Sequence, residues 1–298
     1  MALCPFIVIL SEGPNKVRAE AEGPRTKPAA EAPVEYSRSE QLATLANRRI
    51  SESSGLANSR LTPGAFWTHN DSGDSPRAFA FNRGGEHLAT LRIRDARAVD
   101  WEDMCSYELA GKSYLLLADV GDNNARRKTC TLYIVEEPTL DAAKRNADLS
   151  ADAAVRVEFT YEDGPRDCES VAVDPTTKQI LLVSKRGRVR YVYTLPIPET
   201  TPSRPLVAKK IATLTIPDTT AMDVSPDGRR AVVLTYLSAY EYTRRDGESW
   251  SQAFARPPRM LLIPLRRQGE SICYGRDGKT LYLTSEQLPT PLIEIKPK

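Results

Sequence analysis

The chain has 298 residues, of which 41% are hydrophobic and 27% charged, enough apolar mass for a sizeable core. Lys and Arg number 41 against 39 Asp and Glu, a net charge of +2; a nucleic-acid binder would carry a larger, clustered basic excess, so no nucleic-acid partner is expected. No apolar run approaches the roughly 18–20 residues that span a bilayer, so no transmembrane segment is expected, and two histidines, His69 and His87, are too few to favour zinc sites or triads.

Residues 1–12 hold an apolar run from Leu3 to Leu10, the length of a short signal-peptide core. No Lys or Arg precedes it, and Ala19-Glu20-Ala21 offers a small-x-small cleavage step. A degraded signal peptide would put the protein in the periplasm or outside the cell; a disordered cytosolic leader is the alternative. Residues 13–36 carry Pro14, Pro24, Pro28 and Pro33 among Ala, Glu, Lys and Arg. Such a composition buries too little surface to offset its ordering entropy and reads as a linker. Residues 1–36 are thus leader and linker, and 37–298 the folded body. Cys4 falls in the leader. Cys105, Cys130, Cys168 and Cys273 are too few for a disulfide scaffold and show no C-x-x-C spacing. They read as buried free thiols, with a Cys130–Cys168 bridge as the alternative.

From there the body repeats itself. Five segments pair an acid with small or β-prone residues: Ser51–Ala57, Asp100–Met104, Asp167–Val173, Thr220–Val224 and Gly269–Cys273. Their aligned acids are Glu52, Glu102, Glu169, Asp223 and Glu270. After each comes a turn and a β-rich run, such as Asp227-Gly228 before Ala231-Val232-Val233-Leu234, then a third and a fourth strand. Four strands per repeat of roughly 40–50 residues is the mark of an all-β β-propeller. The last repeat stops at its third strand, and 40–45 supply the fourth, which closes the body and removes an exposed edge. Five blades result. Six would need a degenerate blade in the long stretch between Glu102 and Glu169, but residues 138–154 read as a loop with a short helix. A two-layer sandwich fits less well, and a monomer is expected.

In a propeller the entries to the first strands and the ends of the second strands meet at one mouth of the central channel. The aligned acids should converge there with Asp71, Asp119, Asp122, Ser184-Lys185-Arg186, Tyr236 and Glu286. Two unit charges about 8 Å apart repel by about 2 kcal/mol at an effective dielectric near 20. A hard cation would relieve this. Ca²⁺ takes six to eight oxygen ligands without histidine, and Glu52, Glu102, Asp119, Asp122, Glu169, Asp223 and Glu270 are its candidate ligands. An ion-pair network through Arg97, Arg126, Arg127, Lys185 or Arg186 is the other remedy, and each acid could instead bond backbone amides of a neighbouring blade. Trp101, Arg127, Lys185 and Tyr236 are candidate ligand contacts, although Trp101 also suits core packing. His69 beside Asn70-Asp71 is a candidate general base or a polar loop residue. No G-x-S-x-G elbow is present.

Trp101-Glu102-Asp103, Asp119-Val120-Gly121-Asp122-Asn123, Glu136-Glu137-Pro138, Asp167-Cys168-Glu169-Ser170, Ser184-Lys185 and Asp223–Gly228 together resemble a family of largely uncharacterised, often secreted-looking bacterial propeller proteins. The similarity covers about residues 48–290 and extends distantly to phytase-like and gluconolactonase-like propellers. That resemblance implies Ca²⁺ in the channel of some members and hydrolysis of phosphoesters or lactones. Two functions follow as expectations. One is a Ca²⁺-binding propeller that binds a small-molecule or anionic ligand, or serves as a scaffold. The other is a Ca²⁺-dependent hydrolase with Glu102, Glu169, Lys185 and His69 as catalytic candidates.

Overall fold

The computed structural model describes residues 33–141 and 143–298; the expected leader, with Cys4, falls before them. Tyr36, assigned to the linker from its composition, already belongs to the body. It bridges to Pro297, and its hydroxyl donates to Glu241 Oε1 at 2.7 Å.

The described chain is all-β. β1 (Glu40–Thr44) is followed by a first unit of β2 (Ser53–Asn58), β3 (Ala65–Asn70), β4 (Arg77–Asn82) and β5 (His87–Ile93). The second unit holds β6 (Trp101–Leu109), β7 (Lys112–Asp119) and β8 (Cys130–Glu136), then, after β9 (Ala147–Ala151), β10 (Val155–Tyr161). The third is β11 (Cys168–Asp174), β12 (Gln179–Ser184), β13 (Arg190–Pro196) and β14 (Leu206–Leu214). The fourth is β15 (Thr219–Val224), β16 (Arg230–Thr235), β17 (Ser238–Thr243), helix α1 (Trp250–Phe254) and β18 (Arg259–Leu262). The last is β19 (Ser271–Tyr274), β20 (Leu281–Thr284) and β21 (Pro291–Ile295). β1 adds to this last unit antiparallel to β21, with Glu40 opposite Glu294 and Thr44 opposite Pro291. No helix among the described residues is long and apolar enough to cross a membrane.

Residues 138–154 differ from the expected loop and short helix. They carry β9, which pairs in parallel with β5. The long interval after β8 is used to add a strand to the first unit's outer edge. Likewise β10 and β14 pair in parallel, joining the second and third units into one sheet of eight strands.

Most strands are buried on both faces, as near-continuous apolar runs such as Ile180-Leu181-Leu182-Val183 require. Apolar cores lie between successive units. One packs Trp67, Ala80 and Leu91 against Met104, Leu117 and Val135. Another packs Leu116 and Leu132 against Val171 and Leu182. A third packs Leu181 and Val183 against Met222 and Val233, and a fourth Val232 and Leu234 against Ile272 and Leu283. A further core sets Leu56, Phe66 and Phe81 of the first unit against Cys273, Tyr282 and Leu292 of the last. Cys105, Cys130, Cys168 and Cys273 are all buried free thiols, so Cys130 and Cys168 are not bridged.

Each unit's lead strand has one edge paired with its second strand and the other turned to a neighbouring unit. Buried side chains serve that second edge. The Asp103 carboxylate accepts the backbone N–H groups of Met104 (2.8 Å), Val171 (2.8 Å) and Met222 (3.0 Å), tying β6 to β11 and β15. Asp223 accepts from Val224 (2.9 Å) and from Tyr274 on β19 (2.8 Å). Ser271 Oγ donates to Ser53 O across β19 and β2 at 2.8 Å. Farther out, Glu137 takes the Trp67 indole (3.0 Å), Ser59 Oγ (2.5 Å) and the Arg60 backbone N–H (3.0 Å).

The Asp103 tie yields a stability test. Asp103→Ala strands three buried N–H donors and should cost about 3 kcal/mol or more, read as a lower urea midpoint. Asp103→Asn keeps an acceptor oxygen and should cost less. A neutral Asp103→Ala would contradict the role of this carboxylate.

Candidate metal site

The lead strands β2, β6, β11 and β15 share a local device. Each is paired with its second strand through a shift in register, between Ser54 and Leu56, Trp101 and Asp103, Cys168 and Ser170, and Thr219 and Ala221. The extra residue of each β-bulge is Gly55, Glu102, Glu169 or Thr220, and such a bulge re-aims its side chain. At Gly55 (φ +77) a Cβ would lie 2.6 Å from Met104 N and 2.8 Å from His69 Nε2, so β2 can approach β6 only with glycine there.

Glu102 and Glu169, with Glu270 just before β19, meet at the N-terminal ends of the lead strands. Two residues from second-strand ends, Asp71 after β3 and Glu286 after β20, complete the cluster, together with Asp100. Oxygens of Asp71, Asp100 and Glu102 lie within 4.8 Å of one another, as do those of Asp71, Glu270 and Glu286. Asp71 is common to both sets. Glu52 is exposed at the margin, bridging by its backbone to Glu286. At Gly121 a Cβ would collide with Glu102 Oε1 and the Asp100 carboxylate, so glycine leaves these oxygens their space.

Burial and mutual repulsion set the protonation. Burial pushes Glu286 up to about 9, with hydrogen bonding and repulsion from Glu270 and the charges of Asp71 and Glu52 adding to it. Burial lifts Asp71 to about 6, against the Ser72 N–H and with Asp100, Glu270 and Glu52 reinforcing it. Glu102 is raised well above the usual carboxylate range, by burial and then by Glu169, Asp71 and Asp100. Burial also lifts Glu169, to about 8, although its ion pair with Lys185 pulls the other way. Lys185 lies 5.5 Å from the centre of the Tyr236 ring, and the Tyr236 hydroxyl donates to Glu270 Oε1 at 3.0 Å. Tyr236 itself is 38% exposed.

Several sequence-based candidates sit elsewhere or are otherwise engaged. Asp223 is fully buried along β15, not at this end; burial pushes it to about 7 while Arg60 and the Tyr274 and Val224 N–H groups oppose the shift. It was aligned by its acidity, whereas the bulge puts Thr220 opposite Glu102 and Glu169 in pleat register. Asp119 holds Arg127 Nη1 at 2.8 Å and the Asp100 N–H at 3.0 Å, and Asp122 Oδ2 accepts the Arg127 N–H at 2.7 Å. Arg127 is thus spent on its own loop. Trp101 is core, its indole donating to Arg97 O at 2.9 Å and its ring packed on Tyr133 and His69. His69 is fully enclosed, with Nδ1 2.8 Å from Asn70 O, and burial lowers its pKa. That hydrogen bond puts the ring proton on Nδ1. Asp71, Asp100 and Glu286 were not among the expected ligands, although Asp71 and Glu286 belong to the polar second-strand ends expected at this mouth.

No protein-family model matches the chain, and no curated protein matches it. Among solved structures, a luciferin-regenerating enzyme is similar at 11% identity, over 87% of this chain and 94% of that one, with a TM-score of 0.48. A likeness of that degree says nothing about the chemistry here.

The raised carboxyls give a pH signature. The folded state holds protons that the unfolded chain releases above about pH 4.5, so it binds more protons and stability falls as pH rises. In chelator, the urea midpoint should therefore drop between pH 5 and 9, the window set by Asp71 near 6, Glu169 near 8 and Glu286 near 9. Glu286→Gln should flatten the upper part of that decline. A midpoint that climbs with pH would contradict the assignment.

Proposed function

We propose that the body is a five-bladed β-propeller, closed by β1 on β21, which binds Ca²⁺ at its acidic mouth and acts as a ligand-binding or scaffold protein. The count is supported by five lead strands, each heading a run of four antiparallel strands, with β1 as the fourth of the last unit and β9 added outside the first, and by the core between the first unit and the last. The resemblance to phytase-like and gluconolactonase-like propellers implies Ca²⁺ in the channel of some members and so supports the metal part of the reading.

The observation that carries the metal reading is the pair of carboxylate triads sharing Asp71. Their donors are all oxygens, with no imidazole or thiolate among them, and this suits a hard cation. Asp71, Asp100, Glu102, Glu270 and Glu286 would hold the ion, with Glu169 and Lys185 beside it. A bound divalent ion would supply positive charge that offsets the repulsion now met by protonation, and it would attract an oxygen-rich anion to the mouth. Lys185 is held between Glu169 and Tyr236, so it steadies the wall of the site. Binding is preferred over turnover because His69 is enclosed and Lys185 is already paired.

Thermal melting at pH 8 tests this. Ca²⁺ should raise the midpoint over chelator, since a ligand at 100 times its Kd stabilises by about 2.7 kcal/mol. Glu102→Gln combined with Glu286→Gln should remove the response. An unmoved midpoint in the unaltered protein would end the metal reading. Steady Ca²⁺-dependent turnover of chromogenic phosphate, phosphodiester or lactone substrates would replace binding with hydrolysis.

A further inference from the structure

A cavity of about 520 Å³ lies at the other ends of the lead strands. Its walls come from residues just past β2, at the end of β6, and at or just past the ends of β11, β15 and β19. They include Val173, Pro175, Val224 and Pro226 as an apolar surface. Its volume lies within the range of small-molecule sites, which combine an apolar lining with a few placed polar groups.

Arg60 supplies the first such group. It is only 8% exposed. Its Nε and Nη2 both donate to Ser106 O, at 3.3 and 3.0 Å. No carboxylate forms an ion pair with it among the described residues, and Nη1 has no protein partner there. Its charge is felt by buried Asp223, which is held by the Val224 and Tyr274 N–H groups instead. Asp223 offsets part of that charge through space, but no carboxylate hydrogen-bonds the guanidinium among the described residues, and it lines an open cavity. Arg276 adds a second cation on the exposed margin, and Glu108, also exposed, adds one negative charge.

The geometry points to a second binding site, for an amphiphilic organic monoanion such as an aromatic carboxylate. The acid would take Arg60 Nη1 and Arg276, and the apolar body would lie on Val173, Val224 and the two prolines. A guanidinium–carboxylate hydrogen bond is among the stronger ones available. Glu108 disfavours polyanions, so the class is a single negative charge on an apolar frame. The site is independent of the acidic mouth and of any metal held there.

The test is a saturation-transfer NMR titration of the full chain with 2-naphthoate and with its neutral analogue, 2-naphthamide. Naphthoate should bind with Kd below about 1 mM and at least about tenfold more tightly than the amide. Arg60→Gln should abolish that preference, Arg276→Gln should reduce it, and Glu108→Gln should tighten naphthoate binding about twofold. Arg276 and Glu108 are exposed, so their variants decide the matter if Arg60→Gln fails to fold. No naphthoate binding at about 5 mM, equal affinity for the amide, or a preference untouched by Arg276→Gln and Glu108→Gln would overturn the proposal.

Discussion

The second edge of each lead strand is the constraint on which the rest of this structure depends. One edge is satisfied by the antiparallel ladder. The other faces a neighbouring unit with which it forms no ladder. Its N–H groups are buried and must find acceptors. Asp103 solves this for strands of three units at once, Asp223 for two. Charged side chains are therefore buried at the centre for a structural reason. Burial raises their pKa values, whereas the N–H groups around them favour the ionised form.

Once lead strands are gathered this way, their two ends acquire opposite characters. Their entries collect Glu102, Glu169 and Glu270, and the second-strand ends bring Asp71 and Glu286. Their exits collect Arg60, Arg276, prolines and valines. Asp103 and Asp223 are fixed between these ends by backbone hydrogen bonds. Residues from distant parts of the chain thus form an acidic site and a cationic, apolar cavity on one scaffold.

The strands were largely legible in the sequence because continuous apolar runs and Asp-Gly turns mark them locally. The partner of 40–45 was legible because an unfinished last unit lacks a strand. β9 was not: Ala147-Asp148-Leu149-Ser150-Ala151 is short and half polar, and only parallel pairing with β5 makes it a strand. The acids were partly legible. Glu102, Glu169 and Glu270 share a register, and acidity found them. Glu52 and Asp223 do not, because the bulge adds a residue to the lead strands and alignment by charge slips past it. Trp101, read as core or as a ligand contact, is core, and His69, read as a general base or a polar loop residue, is a buried strand residue.

What the sequence determined by itself was the kind of element, its repetition, and the recurrence of acid at strand entries, since these depend on neighbours a few residues apart. What only the tertiary structure decided was which charges meet and which are spent. Asp119 and Asp122 carry the same chemistry as Asp71 and Glu286, but Arg127 folds back on the first two, whereas Asp71 and Glu286 crowd against Glu270. Coulomb energy depends on separation in space and on the dielectric of the surroundings, and chain order specifies neither until the units have packed.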